Sequence, residues 1–384
     1  MDFELPEELR LLKENIRRFV DRELIPLERQ VVHDIQLQKD LPGRLRDKVE
    51  ALGLWLYDVP EEFGGLGLGM TAKIVVWSEV SRTTALPARN LNIFGPAVSP
   101  ILYTLQGEAR EQYLLPVIRG EKRSCFAQTE AEAGSDPAAM RTTAVRDGDF
   151  YVINGVKRFI TGADEADFAQ VFTVTDPEKR ARGGITGFLV DMNTPGVKVS
   201  ASYDLMVDDK PCEIVFNNVR VPAWKRIGQE GEGFKHAQSW LNSGRIRHGA
   251  RSLGVIERCF ELGTDYAKQR KTFGALLAER QSVQWPLTDI YMDAHKLRLM
   301  LHHAAWKFDR GEDCREEAFM VKIFGDERSF WAADRVMQIH GGMGLSKELP
   351  IERFFRDQRS MMITEGPIEI LKMTLARHVL RTYG

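Results

Sequence analysis

The chain reads as an α+β protein of several domains: an N-terminal α-helical domain over residues 1–122, a middle β-barrel-like domain over 123–230 and a C-terminal helical bundle over 231–384. Three observations predict it. Leu9, Leu12, Ile16, Phe19 and Val20 recur at three- and four-residue steps after Pro6, the spacing of one apolar helical stripe. Between about Ser124 and Glu230 the texture changes to short β-type runs: FYVING, VKRFITG, AQVFTVT, ITGFLVDM, GVKVSASY and CEIVFNNVRVP, with charged or Gly/Pro turns between them. The helical period then returns. Leu287, Ile290, Ala294, Leu297, Leu301, Ala304, Ala305 and Phe308 form a stripe wide enough to pack on several neighbours.

Within the first segment VPEEFGGLGLG (59–69) is a glycine-rich loop, and AKIVVWSEVSR resumes the helix. In the second, Asn154-Gly155 between two β runs predicts a hairpin turn. Phe159 and Thr161, two apart on one strand, are expected on the same face. No internal repeat or low-complexity linker interrupts the chain, so the three parts should pack closely.

A length of 384 residues exceeds what one core serves, and 43% hydrophobic residues supply enough apolar surface for two or three packed units. With Lys+Arg 53 against Asp+Glu 55, a nucleic-acid surface and a polybasic membrane anchor are excluded, while a local basic pocket for a small anion is not. Cys125, Cys212, Cys259 and Cys314 lack CxxC spacing, which predicts inert thiols rather than a disulfide framework or a metal site. MDFELPEELRLLKEN has neither a basic n-region nor an apolar h-region, and no segment is apolar long enough to span a bilayer. The expectation is a soluble, cytoplasmic protein.

Five stretches can carry chemistry. ITEGPIEI (363–370) sets Glu365 before Gly366-Pro367, either as the lead-in to the next helix or as a carboxylate desolvated until its pKa rises into the range of a general base. CFAQTEAEAGSD (125–136) offers Thr129, Gly134 and Ser135 to a phosphate or the edge of a flavin, or simply turns between domains. Phe159 and Thr161 in RFITG can stack on and donate to a flat ring, or pack a core. Arg270 and Phe273 in RKTFG suit phosphate recognition, although a cation also fits the end of a helix. QIHGGMG (338–344) is a glycine C-cap or a weak phosphate loop, and the histidines show no metal-ligand spacing.

Taken in order, VPEEFGGLGLG, QTEAEAGSD, FITG, RKTFG, QIHGGMG and TEGPIEI resemble the acyl-CoA dehydrogenase family of flavoproteins over the whole chain. The resemblance implies an N-terminal helical domain, a middle β domain and a C-terminal four-helix domain, with FAD between the last two. It assigns the cofactor to Phe126, Gln128, Thr129, Gly134, Ser135, Phe159 and Thr161. A neighbouring subunit would add Arg270, Phe273, Gln338, Gly341 and Gly342, so that the working unit is a homodimer or homotetramer. Pro367 and Glu369 fall beside the flavin, where many members have threonine and glutamine. Ser135, Asn242, Arg245, Thr364 and Gly366 fall along the acyl-CoA path.

By the same resemblance Glu365 is the catalytic base. Some branches carry the base at the position of Gly244, and glycine cannot take a proton. Glu365 would remove the α proton of an acyl-CoA while the β hydrogen leaves as hydride to flavin N5, giving a trans-2-enoyl-CoA, with the growing carbonyl charge met by aimed donors. Electron-transferring flavoprotein would take the electrons. Alternatives within the superfamily are an acyl-CoA oxidase, an enoyl-CoA reductase and a flavin monooxygenase; outside catalysis stands a paralogue that only binds acyl-CoA or FAD. Arg89, in ALPARNLNIFG, is either a surface arginine or a partner for a second carboxylate on the ligand. Departures from the family pattern are Phe159 for a tryptophan, Ala131 for a proline, and MVDDKPCEI in place of a Gly-x-Arg before the last strands.

Overall fold

The computed structural model describes residues 4–87 and 92–382, apart from the side chain of Ala138. Arg89 lies outside the described residues. The chain divides by compactness into two units, which are not the three sequence segments: a helical unit of Met1–Asp58, Gly67–Ile93 and Asn242–Gly384, and a sheet unit of Val59–Leu66 and Phe94–Leu241. The first and last helical segments pool because they share one core.

That core forms where α2 (Met70–Val80) contributes Met70, Ile74 and Trp77 to a cluster with Ile246, Ala250 and Ile256 of α3 (Gly233–Gln269), Leu297 and Leu301 of α4 (Gln281–Asp309), and Val321 and Val336 of α5 (Arg315–His340). Nearly every residue of α2 is buried, as expected of a helix with apolar side chains all round. Its N-terminus is capped from outside: the Asp309 carboxylate accepts from Thr71 N–H at 2.9 Å, and a Cβ on Gly69 would stand 2.9 Å from the same carboxylate. Two further helices, α6 (Ile351–Met361) and α7 (Ile368–Thr382), follow at the C-terminal end of the unit, and the turn between them holds Glu365. Among the described residues no helix is long and apolar enough to cross a membrane.

The sheet unit is one eight-stranded sheet: β1 (Ser124–Ala127), β2 (Thr143–Asp147), β3 (Phe150–Ile160), β4 (Phe168–Val174), β5 (Ile185–Asp191), β6 (Val197–Ser202), β7 (Cys212–Pro222) and β8 (Arg226–Ile227). The strand order is β6-β7-β3-β2-β4-β5-β8, with β1 added parallel to β4. β4 is buried at every position, whereas β6, at an edge, is almost wholly exposed. Tyr151, Ile153, Val171, Phe188, Ile214 and Val219 meet in its core.

Two expectations fail in β3. Asn154-Gly155 is not a hairpin turn, because the strand runs straight through it; the β2–β3 turn is Gly148, at φ 61°. Asn154 faces a bulge instead: the register shifts between Ile153 and Gly155, and the Asn154 Oδ1 accepts from Asn218 N–H at 2.8 Å. A Cβ on Gly155 would lie 2.4 Å from Thr142 Oγ1, so this glycine is required by close approach. Nor do Phe159 and Thr161 alternate on one strand face. A second shift falls between Lys157 and Ile160, Phe159 takes φ 55°, and the strand ends before Thr161.

Candidate active site

In the helical unit, Glu365 sits in the α6–α7 turn at φ 54°, followed by Gly366 at φ 102°. A left-handed glutamate costs about 1 kcal/mol or more and persists only when the surroundings hold it. Two things hold it here. The backbone carbonyl of Glu365 accepts from Arg245 Nε at 3.4 Å, and a Cβ on Gly366 would come 3.5 Å from Arg245 Nη2. Carboxylate oxygen Oε1 accepts from Arg247 Nη2 at 3.1 Å and lies 3.6 Å from His248 Nε2. Oε2 is buried and has no partner.

Oε2 points at Gly244. A Cβ there would stand 2.1 Å from it, so a side chain at position 244 and the Glu365 carboxylate exclude each other. Behind His248 lies a second layer. Its Nδ1 is 3.3 Å from Asp326 Oδ2, which also accepts from Lys322 Nζ at 2.8 Å, while Asp326 Oδ1 accepts from Ser252 Oγ at 3.0 Å. Lys322 spans further to the Met361 carbonyl at 3.0 Å, tying α5 to the end of α6 just ahead of Glu365.

These charges correct the expectation of a raised pKa in an apolar site. Burial does push the Glu365 carboxyl up, but His248, Arg247 and Lys322 outweigh it and hold the group well below the usual carboxylate range. Asp326 is likewise held low, burial being overcome by His248 and Lys322. Arg245 and Arg251 are each drawn down to about 10, chiefly by burial.

The fold therefore brings together Asn242, Arg245, Glu365 and Gly366: Arg245 Nη1 donates to Asn242 Oδ1 at 3.2 Å and its guanidinium lies 4.8 Å from the Phe319 ring centroid. Thr364 joins this turn, its hydroxyl 3.8 Å from Met361 Sδ, and Pro367 and Glu369 open α7, with Glu369 exposed. Gln338, Gly341 and Gly342 lie at the C-terminus of α5, where Gly341 ends the helix at φ 59°. Arg270 follows α3, and Phe273 tips a small hairpin with its ring fully exposed.

In the sheet unit, Phe126 stacks on Trp240 with centroids 4.3 Å apart and planes 10° off parallel. The loop after β1 is clamped from beneath: buried Lys157 donates to the Gln128 carbonyl at 2.9 Å and to Glu130 at 2.7 Å, while Glu130 accepts from Thr142 N–H at 3.0 Å. The Thr129 carbonyl accepts from Arg158 N–H at 2.8 Å. Above this clamp Gly134 and Ser135 are exposed, Phe159 presents a half-exposed ring stacked 4.8 Å from Tyr203, and the Thr161 hydroxyl reaches Asp209 at 3.3 Å. An open aromatic face in a strained backbone, with hydroxyls beside it, fits a flat flavin ring. Gly134 here, and separately Gly341 and Gly342 in the helical unit, have nothing within 4 Å of an added Cβ. The donor set of the sheet unit thus suits the flavin of FAD.

Sequence reasoning missed Arg247, His248, Arg251, Ser252, Lys322 and Asp326. A signal existed. LNSGRIRHGARS places polar residues at 248 and 252 among buried neighbours, and Lys322 and Asp326 stand four apart inside an apolar helical run.

Comparison with known proteins gives the same frame. Residues 6–121, 125–219 and 231–380 match the N-terminal, middle and C-terminal domain models of acyl-CoA dehydrogenase. The chain is 37% identical to (R)-benzylsuccinyl-CoA dehydrogenase of Thauera aromatica, covering 100% of this chain and 99% of that protein. Butyryl-CoA dehydrogenase from Megasphaera elsdenii superposes with a TM-score of 0.88 at 30% identity, over 99% of this chain and 100% of that one. PigA with FAD and proline gives a TM-score of 0.90 at 26% identity, over the whole of both chains. The chain belongs to the acyl-CoA dehydrogenase family.

Proposed function

We propose that the protein is an FAD-dependent acyl-CoA dehydrogenase that removes the α proton of an acyl-CoA thioester with Glu365 and yields a trans-2-enoyl-CoA. The observation that carries this reading is the unpartnered oxygen Oε2 of Glu365, buried and facing the gap that Gly244 leaves. It is a free acceptor on a fixed carboxylate, the arrangement a general base requires. Bound FAD supplies the acceptor for the β hydrogen, leaving as hydride. What this chain supplies is orientation: Arg245 fixes the Glu365 backbone, and Lys322 and Asp326 fix His248 and the end of α6. Phe159, Thr161, Ser135 and Gly134 would hold the flavin side of the cofactor, and Arg270 with the glycines after Gln338, contributed by a neighbouring subunit, its phosphates. Asn242, Thr364 and Gly366 would lie along the thioester.

Electron-transferring flavoprotein is the acceptor we propose, on the family resemblance. Self-association is supported by exposed aromatic side chains on and near α4: Phe273 at 100%, Trp285 and Tyr291 at 63%, and Trp306 at 51% exposure. The test of the base is Glu365→Gln. FAD should remain bound with its absorbance intact, while anaerobic bleaching of the flavin by acyl-CoA falls by about a hundredfold or more. Undiminished bleaching refutes the assignment.

A further inference from the structure

Three arginines of α3 lie close enough to Glu365 to feel its charge, only Arg247 touching the carboxylate, and the cations there are not all paired directly with acids. Arg245 is occupied by Asn242, by the Glu365 carbonyl and by the Phe319 ring. Lys322 is paired with Asp326, and Arg353 lies 3.6 Å from Asp357. Arg247, about one-third exposed, has Glu365. Arg251, one turn further along α3 and on the same face, feels Asp357, Asp326 and Glu365 only at a distance and makes no direct ion pair: it is only 7% exposed, its Nε has no partner, and Nη1 reaches no more than Met361 Sδ at 3.7 Å. A guanidinium cannot shed its proton, so one buried without an anion is costly.

The pairing of Arg247 with Glu365 also opposes the chemistry. A guanidinium on Oε1 stabilises the charged carboxylate and so weakens it as a base. Both anomalies vanish if an anion arrives with the substrate. We propose that the acyl group carries a second carboxylate, and that Arg247 and Arg251 bind it: the incoming carboxylate draws Arg247 off Glu365, supplies Arg251 with its missing partner, and thereby releases the base. This rests on Glu365 being that base. Specificity and activation then come from one event, since a neutral acyl chain leaves Arg247 on Glu365.

The experiment compares glutaryl-, adipyl- and suberyl-CoA with valeryl-, hexanoyl- and octanoyl-CoA on the holoenzyme. Bleaching is followed anaerobically, and binding is measured separately by calorimetry on the Glu365→Gln protein. The wild type should favour at least one dicarboxylic thioester over its neutral match by about a hundredfold, the scale of a desolvated charge pair. Arg247→Leu should lose that advantage and at the same time bleach faster with the neutral thioesters than the wild type does, because the base is no longer tied. Arg251→Met should lose the dicarboxylic preference without the neutral gain, and it serves if Arg247→Leu does not fold. Equal affinity for both classes, or an Arg247→Leu protein slowed equally on both, overturns the proposal. Preferential binding of dicarboxylic thioesters without bleaching would instead sink the oxidation and leave the subsite standing.

Discussion

Among the described residues two lysines are wholly buried, and their surroundings differ in one respect. Lys157, in the sheet unit, meets Glu130 and the Gln128 carbonyl, and Glu130 in turn accepts from two backbone N–H groups, at Arg141 and Thr142. Lys322, in the helical unit, meets Asp326 and the Met361 carbonyl, and Asp326 leads on through His248 to Glu365. The first network closes on itself. The second ends on an oxygen with no partner. A closed buried network can only hold a shape, here the loop that carries Gly134 and Ser135; an open one holds a shape and leaves a reactive atom. Even the clamp is strained electrostatically, since burial draws the Lys157 ammonium down to about 8 despite Glu130.

The sharpest way to break the contrast is Lys157→Met. It leaves Glu130 buried with its two backbone donors but no cation, and denaturant unfolding should show a loss of about 3–5 kcal/mol. If stability is unchanged, the clamp is not structural. Gly244→Ala separates the other side: alanine is the better helix former by roughly 1 kcal/mol, so stability should hold or rise. Yet its methyl would occupy the place of Glu365 Oε2, and single-turnover bleaching should drop by about a hundredfold, as misplacing a reacting group by an ångström can do. Retained turnover would show that the carboxylate works from another position.

The smallest effect is on pH. The folded Glu365 carboxyl is held below its ordinary value, so around the usual carboxylate range the unfolded chain binds a proton that the folded chain does not. Its stabilising contribution is full above that range and is lost as the pH falls through and below it. Glu365→Gln should therefore flatten the acid limb of a stability–pH curve relative to the wild type. Asp326 acts in the same direction and remains in both proteins, so the difference between them is the quantity to read.

Much of the fold was legible because periodicity is a local property. The stripe through α1 (Glu7–Phe19), the buried run of α4 and the β texture of the middle segment all appear as read. Glu365 was legible too, since Glu-Gly-Pro marks a turn with an acid at its head. What could not be read was its electrostatic setting. The pKa of a carboxylate depends on groups over a hundred positions away in sequence, and neither His248 nor Arg247 announces which acid it will face. Asn154-Gly155 misled for a related reason: the dipeptide favours a turn, but the partner strand β7 and the crowding of Thr142 made it a bulge. The left-handed Phe159 had no local signal at all.

The two irregularities of the β3–β7 pairing are opposite in sense. From Ile153/Val219 to Gly155/Phe216, β3 advances two residues and β7 three; from Lys157/Ile214 to Ile160/Cys212, β3 advances three and β7 two. The surplus on one strand, at Asn218, cancels the surplus on the other, at Phe159, and both residues take positive φ. The ladder thus behaves like a reading frame carrying an insertion and a compensating one. Removing Phe159 alone would slip the frame and turn the inward side chains of one strand end outward, whereas removing Phe159 and Asn218 together would restore a straight ladder. That doubly shortened chain would keep its sheet and lose only the half-exposed ring of Phe159.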